Sequence, residues 1–216
     1  METKSFDGGL SENLYFDNNY EQDFINIKGY EQWTQYREDW EKYCKLEKES
    51  EFPPHLEFEL NYSCNLRCPM CTWAVEDTAE KKEDWFTFED YKKVIDEAVS
   101  IGTKSIRLCY INEPLIRQDI DQFIKYAVDA GILDVLITTN GTLLTKQMSK
   151  KLIEAGLTKI NVSLDAVTNA TYDKIRVGGN LDVTVQNIVA KQHEVVGILA
   201  EGQDSQLKDI NGNVLQ

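Results

Sequence analysis

"LEFELNYSCNLRCPMC", Leu56 to Cys71, runs from an alternating apolar–polar stretch straight into three closely spaced cysteines. Leu56, Phe58 and Leu60 alternate with Glu57, Glu59 and Asn61, the two-residue period of a β-strand, so Leu56–Tyr62 reads as a strand. The thiols follow at Cys64, Cys68 and Cys71 in the spacing C-x3-C-x2-C. A strand that empties into a cysteine loop sets the frame for the rest of the chain.

Downstream, strands and helices alternate. "TFEDYKKVIDEAVSIG" has Thr87 as N-cap, with Tyr91, Val94, Ile95 and Ala98 on one face and Gly102 as stop. "SIRLCYI" is the second strand; the next helix turns Ile120, Phe123, Ile124, Ala127 and Val128 inward and ends at Gly131. "DVLITT" is the third strand, followed by a helix from about Thr145 to Ala155, and "KINVSL" is the fourth. The strand centres Ile106, Val135 and Ile160 recur at βα spacing, which predicts parallel strands with right-handed crossovers. Parallel sheets bury both faces, so these strands are expected to be apolar throughout. Ligands gather at the carboxyl ends of such strands, where the cysteine loop begins.

The chain divides at compositional breaks. Residues 1–28 are polar, acidic and poorly patterned, so they read as a poorly ordered N-terminus. Residues 29–54 hold Tyr30, Trp33, Tyr36, Trp40 and Tyr43 at helical spacing, then a Pro linker; this aromatic stripe predicts a helix on the outside or bottom of the main domain. Residues 55–196 form the core. "NLDVTVQNIVAKQHEVV" is a helix candidate of high β-branched content. Residues 197–216 read as a hairpin tail turning at Asn211-Gly212 rather than as another βα unit. Four strands fall short of a closed barrel and leave a parallel edge. The sheet is then open, or completed by a partner chain, or a shortened form of something longer.

The net charge of −14 over 216 residues argues against a phosphate backbone as partner and disfavours an anionic membrane surface. There is no apolar run long enough for a membrane span and no charged-then-apolar leader, so the chain reads as cytoplasmic. In a reducing compartment, clustered thiols are metal ligands rather than disulfides. Cys109, mid-strand, and Cys44, on the aromatic helix, read as structural, and His55 and His193 as packing residues.

Three readings compete for the cysteine loop. A structural zinc site needs four ligands, usually in two pairs, and no second pair is present. "CPMC" is formally a redox pair, but that leaves Cys64 unexplained. A cubane iron–sulfur cluster held by three thiolates leaves one iron open to a small molecule, which makes the missing ligand a requirement.

Here the sequence resembles the radical S-adenosylmethionine (SAM) superfamily, whose motif "CNLRCPMC" matches on the loop after the first core strand. "YINEPLI" resembles the family's Gly-Gly-Glu-Pro segment, with Asn112, Glu113 and Pro114 implied at the SAM amino group; Ile111 and Asn112 stand where the family has glycines. "TTNG", containing Asn140, and "SLDA", containing Ser163 and Asp165, are similar to the family's third and fourth strand ends. Ser163 and Asp165 are implied near the SAM ribose and carboxylate, Arg176 of "YDKIRVGG" at the carboxylate, and Met70 near the adenine. Trp40 to Leu60 resembles the entry segment of members with a C-terminal SPASM or Twitch domain. The resemblance implies an α/β fold, a partial (βα) barrel of radical-SAM type preceded by an N-terminal helix. It implies a 4Fe–4S cluster on Cys64, Cys68 and Cys71, with SAM as second cofactor. Reductive cleavage of SAM to a 5′-deoxyadenosyl radical is the implied activity, with a flavodoxin- or ferredoxin-type one-electron donor and a peptide or small-metabolite substrate. A catalytically silent cluster-binding fragment and a zinc-bound interaction module are the alternatives.

Overall fold

The computed structural model describes residues 30–75, 85–189 and 198–201. In chain order the elements are helix α1 (Tyr30–Cys44), strand β1 (His55–Glu57), α2 (Thr72–Val75) and α3 (Phe88–Ile101). Next come β2 (Ser105–Arg107), a 3-10 turn (Pro114–Ile116), α4 (Ile120–Ala130), β3 (Asp134–Thr139) and α5 (Lys146–Glu154). The described chain closes with β4 (Lys159–Ser163), α6 (Asn169–Ile175), α7 (Leu181–Val189) and β5 (Ile198–Glu201).

The five strands lie in sequence order, β1-β2-β3-β4-β5, and every pair is parallel. Each crossover therefore moves one strand over in the same direction. Because βα crossovers are right-handed, all the connecting helices fall on one face, as in a barrel and unlike a doubly wound sheet. The register gives that face its composition. Phe58, Leu60, Ile106, Leu108, Val135, Ile137, Ile160 and Val162 belong to one buried core with Tyr91, Ile95, Phe123, Ile124 and Leu152 from the helices.

The alternate positions are different. Glu57 pairs in register with Arg107, Thr138 with Asn161 and Ser163 with Glu201. Glu57, Glu59, Arg107, Thr138, Asn161 and Ser163 make the second face largely polar. The expectation of strands apolar on both faces is therefore corrected: a barrel-type sheet turns one face to the helices and the other to the lumen.

Helix signals hold. Thr87 Oγ1 accepts from the Asp90 N–H, Thr145 Oγ1 accepts from the Met148 N–H, and Gly102 and Gly131 close their helices in the left-handed conformation. Val94, expected inward, is exposed, while Tyr91, Ile95 and Ala98 are buried. Strands one and two are shorter than Leu56–Tyr62 and Ser105–Ile111. Past Glu57 the ladder keeps one bond, from Phe58 N–H to the Arg107 carbonyl at 2.8 Å, before Leu60 accepts from the Phe86 N–H at 3.0 Å. The fourth-strand limit is also corrected. Ile198–Glu201, read as part of a hairpin tail, pairs parallel with β4, so the core reaches beyond residue 196. The turn at Asn211-Gly212 and His193 lie outside the described residues.

Helix α1 closes the amino-terminal end of the strands, as its aromatic stripe suggested. Trp33, Tyr36 and Leu133 form a second buried cluster with Trp40 against it. Tyr36 Oη donates to Asp134 Oδ2 at 2.8 Å, where Lys159 Nζ also donates at 2.7 Å. Burial pushes the Asp134 carboxyl upward, but Lys159 and three hydrogen bonds outweigh it and hold the group below the usual range.

Candidate functional site at the carboxyl ends of the strands

The cysteine loop is built on one buried asparagine. Asn61 Oδ1 accepts from the Ser63 N–H at 3.0 Å, an Asx-type turn that reverses the chain after β1. Its Nδ2 donates to the Glu113 carbonyl at 3.4 Å, and Glu113 N–H donates to the Ser63 carbonyl at 2.9 Å. These bonds lock the start of the loop to the end of β2. Arg67 fixes the middle: its N–H donates to the Val177 carbonyl at 2.8 Å. Its Nη1 donates to the carbonyls of Cys64 and Leu66, and its guanidinium lies 4.4 Å from the centre of the Trp73 ring. Cys71 N–H donates to the Cys68 carbonyl at 3.0 Å, a turn that leads into α2.

All three thiols are free, with Cys68 buried and Cys64 and Cys71 half-buried. Burial raises the Cys64 pKa, helped by Glu113 and by the neighbouring Cys68 and Cys71, while the Leu66 N–H lowers it. Among the described residues no three His, Cys, Asp or Glu side chains converge on one ion position. A structural zinc site takes four such ligands. A cubane cluster bonds each thiolate to a different iron. The donor set, three thiols and no fourth protein ligand beside them, fits that group.

Around the loop lie the other residues singled out by sequence. Glu113 is buried, and its carboxylate accepts from Leu115 N–H at 3.1 Å, Thr139 Oγ1 at 2.7 Å and Asn140 N–H at 2.8 Å. It joins the ends of β2 and β3, and burial raises its pKa against those donors. Pro114 opens the 3-10 turn that Glu113 caps. Asn140 Nδ2 donates to Asn65 Oδ1 at 2.8 Å, and Asn140 Oδ1 accepts from Thr142, so this side chain ties the β3 loop to the cysteine loop.

Asp165, just past β4, adopts a left-handed backbone with φ of 50° and forms an ion pair with Arg176. Arg176 Nη1 also reaches Cys68 Sγ at 3.8 Å, and its Nε is buried without a partner. Ser163 is half-buried at the end of β4, and Met70 is exposed at the tip of the cysteine loop. Both Asn112 side-chain atoms are buried and unpartnered. The structure thus gathers Cys68, Asp165 and Arg176, and separately Glu113 with Asn140.

Several residues here escaped the sequence reading. Asn65 bridges Asn140 and Thr142. Arg117 is buried, donating to the carbonyls of Leu60 at 2.9 Å and Phe86 at 2.7 Å, beneath the loop. Glu59 accepts from the Ile111 N–H at 2.9 Å through one oxygen. A charged residue at every second position of β1 was the available signal for Glu59.

Comparison with known proteins follows the same lines. The radical SAM superfamily matches residues 58–194, and the chain belongs to that family. The family's cofactors are a 4Fe–4S cluster and SAM. A GTP 3′,8-cyclase of Aliarcobacter butzleri is 36% identical over 135 residues, 62% of this chain and 41% of that protein. An AdoMet-dependent heme synthase of Methanosarcina barkeri is 39% identical over 124 residues, 57% of this chain and 34% of that one. The chain therefore spans about two fifths or less of the curated relatives it matches. The crystal structure of Streptococcus suis SuiB bound to S-adenosylmethionine shares the fold, with a TM-score of 0.54 and 21% identity, covering 63% of this chain and 30% of that one. Among the described residues no helix is long and apolar enough to cross a membrane.

Proposed function

We propose that this chain holds a 4Fe–4S cluster on Cys64, Cys68 and Cys71 and acts as a radical SAM enzyme on a peptide or small metabolite. The observation that carries the reading is the set of three free thiols on one loop braced to the ends of β2 and β3 and to Val177 after α6. With cluster and SAM bound, the chemistry supplied is reductive cleavage of the sulfonium carbon–sulfur bond, giving methionine and a 5′-deoxyadenosyl radical.

The chain's own groups bind and orient. Arg67 and Asn61 fix the loop so that the thiols need little reorganisation on loading. Arg176 stands between Cys68 and Asp165, with one donor still unmatched, and suits the SAM carboxylate as a planar fork. Asn112, Glu113 and Pro114 line the β2 end near the amino group. Asn140 and Ser163 mark the ends of β3 and β4, and Met70 offers an apolar surface to the adenine.

The relatives carry different activities, so neither substrate transfers to this chain. A flavodoxin- or ferredoxin-type donor supplies the electron, and the setting is cytoplasmic. Trp40 to Leu60 supports a SPASM- or Twitch-like subgroup, and β1 and β5, which stand at the two edges of the sheet among the described residues, support completion of the barrel by a partner chain. Anaerobic reconstitution with iron and sulfide tests the ligand assignment. About four irons per chain with a cluster spectrum is expected, and stoichiometric zinc without iron uptake would overturn it.

A further inference from the structure

The segment that follows α6 runs antiparallel beside the cysteine loop. A Cβ on Gly178 would lie 3.6 Å from the Asn65 carbonyl oxygen and 3.8 Å from Leu66 Cδ2. One residue back, the Val177 carbonyl accepts from the Arg67 N–H at 2.8 Å. One residue further back, Arg176 Nη1 reaches Cys68 Sγ at 3.8 Å. This alignment sets Arg176 opposite the middle thiol of the loop.

Arg176 is also fixed from its own side. Its N–H donates to the Tyr172 carbonyl at 2.7 Å, and its carbonyl accepts from the Gly179 N–H at 2.8 Å. Tyr172 is fully buried, with its hydroxyl 3.1 Å from Thr184 Oγ1. A Cβ at Gly179 would meet Tyr172 Cε1 at 2.9 Å, so the turn packs directly on that ring. The Arg176 side chain is 15% exposed and Cys68 6%, so water screens little of the charge between them. Nη2 of the same guanidinium pairs with Asp165. Arg67, the other cation of the loop, spends its Nη1 on the carbonyls of Cys64 and Leu66 instead.

A guanidinium beside a ligating cysteine sulfur favours whichever state of the cluster carries more negative charge. Cluster potentials follow net charge and hydrogen bonds to the sulfurs. We propose that Arg176, acting through Cys68, raises the reduction potential of the cluster on Cys64, Cys68 and Cys71. Asp165 moderates the effect by offsetting part of the guanidinium charge. The step concerned moves one electron from an external one-electron donor to the oxidised cluster, with no bond made or broken. The inference rests on the radical SAM reading for the cluster itself and gives Arg176 a part to play before SAM binds.

The test compares the anaerobically reconstituted full chain as wild type, Arg176→Gln and Asp165→Asn. All are measured without SAM, so that a SAM carboxylate at Arg176 plays no part. Iron content and the visible spectrum establish loading. A mediated potentiometric titration, followed by the EPR signal of the reduced cluster, gives the midpoint. Arg176→Gln is expected to disfavour reduction by about tenfold, which for one electron is about 59 mV more negative. Asp165→Asn is expected to favour reduction severalfold, moving the midpoint the opposite way.

A fully loaded Arg176→Gln whose reduction equilibrium stays within about threefold of wild type, or shifts upward, overturns the proposal. Should Arg176→Gln take up no iron, Asp165→Asn carries the test, and an unchanged or more negative midpoint there overturns it. A wild type that takes up no iron refutes the radical SAM reading. A loaded wild type that fails only the comparison with its variants leaves that reading intact.

Discussion

Replacing Glu113 separates two things its carboxylate does, accepting hydrogen bonds and carrying buried charge. Glu113→Ala removes the acceptor for Leu115 N–H, Thr139 Oγ1 and Asn140 N–H together. A buried donor left unmet costs about 1–3 kcal/mol, so three would exceed 3 kcal/mol if nothing relaxed. Removing a buried charge offsets part of that, because burial disfavours the ionised form. The net expectation is about 3 kcal/mol for Glu113→Ala. Glu113→Gln keeps one acceptor oxygen and the side-chain volume and is expected to cost about 1 kcal/mol.

The same group fixes a pH trend. Its pKa is raised in the folded chain, so the native state binds the proton to higher pH than the unfolded chain. Its contribution is complete below the ordinary glutamate range and falls away as pH rises through the native pKa. The stability difference between wild type and Glu113→Gln should therefore shrink from acid to neutral pH. Urea unfolding of the unreconstituted protein under reducing conditions, read as a midpoint shift at constant slope, measures both effects. Glu113→Ala within 0.5 kcal/mol of wild type, or Glu113→Gln as costly as Glu113→Ala, would refute the reasoning.

Other expectations follow from single contacts. Cys68→Ala should abolish iron loading, whereas Cys109→Ala should load normally, as iron and sulfide analysis will report. Burial pushes the Cys109 thiol up to about 12, so iodoacetamide at pH 8 should label exposed Cys44 in native unreconstituted protein and leave Cys109 untouched until urea is added. Gly141 has φ of +77°, and a Cβ there would meet Val162 Cγ1 at 2.9 Å, so Gly141→Ala should lower the thermal midpoint by several degrees. Tyr36→Phe should cost about 1 kcal/mol in the same unfolding assay, through loss of the bond to Asp134.

Local signals were legible because they depend on neighbours in sequence. Thr87, Gly102, Gly131 and Thr145 announce helix ends by capping chemistry that needs no tertiary context. The C-x3-C-x2-C spacing likewise identifies its loop. The lumen face was misread because the parallel-sheet rule describes sheets covered on both sides. The odd-numbered residues Glu57, Glu59, Arg107, Asn161 and Ser163 already spelled out a polar face in the sequence.

Strand β5 was missed because "ILAE" is too short to show a period, and its partner β4 supplies the pairing. Arg117 and Asn65 were out of reach for another reason. Their partners, Leu60, Phe86, Asn140 and Thr142, are 31 to 77 residues away, and only the folded chain brings them together.

The central claim is that three thiols on this loop leave one iron of a cluster free for SAM. The direct measurement is 5′-deoxyadenosine release after dithionite and SAM are added to the anaerobically reconstituted chain, with Cys68→Ala alongside. The account predicts 5′-deoxyadenosine and methionine in equal amounts from the wild type and neither from Cys68→Ala. An iron-loaded wild type that leaves SAM intact would contradict it.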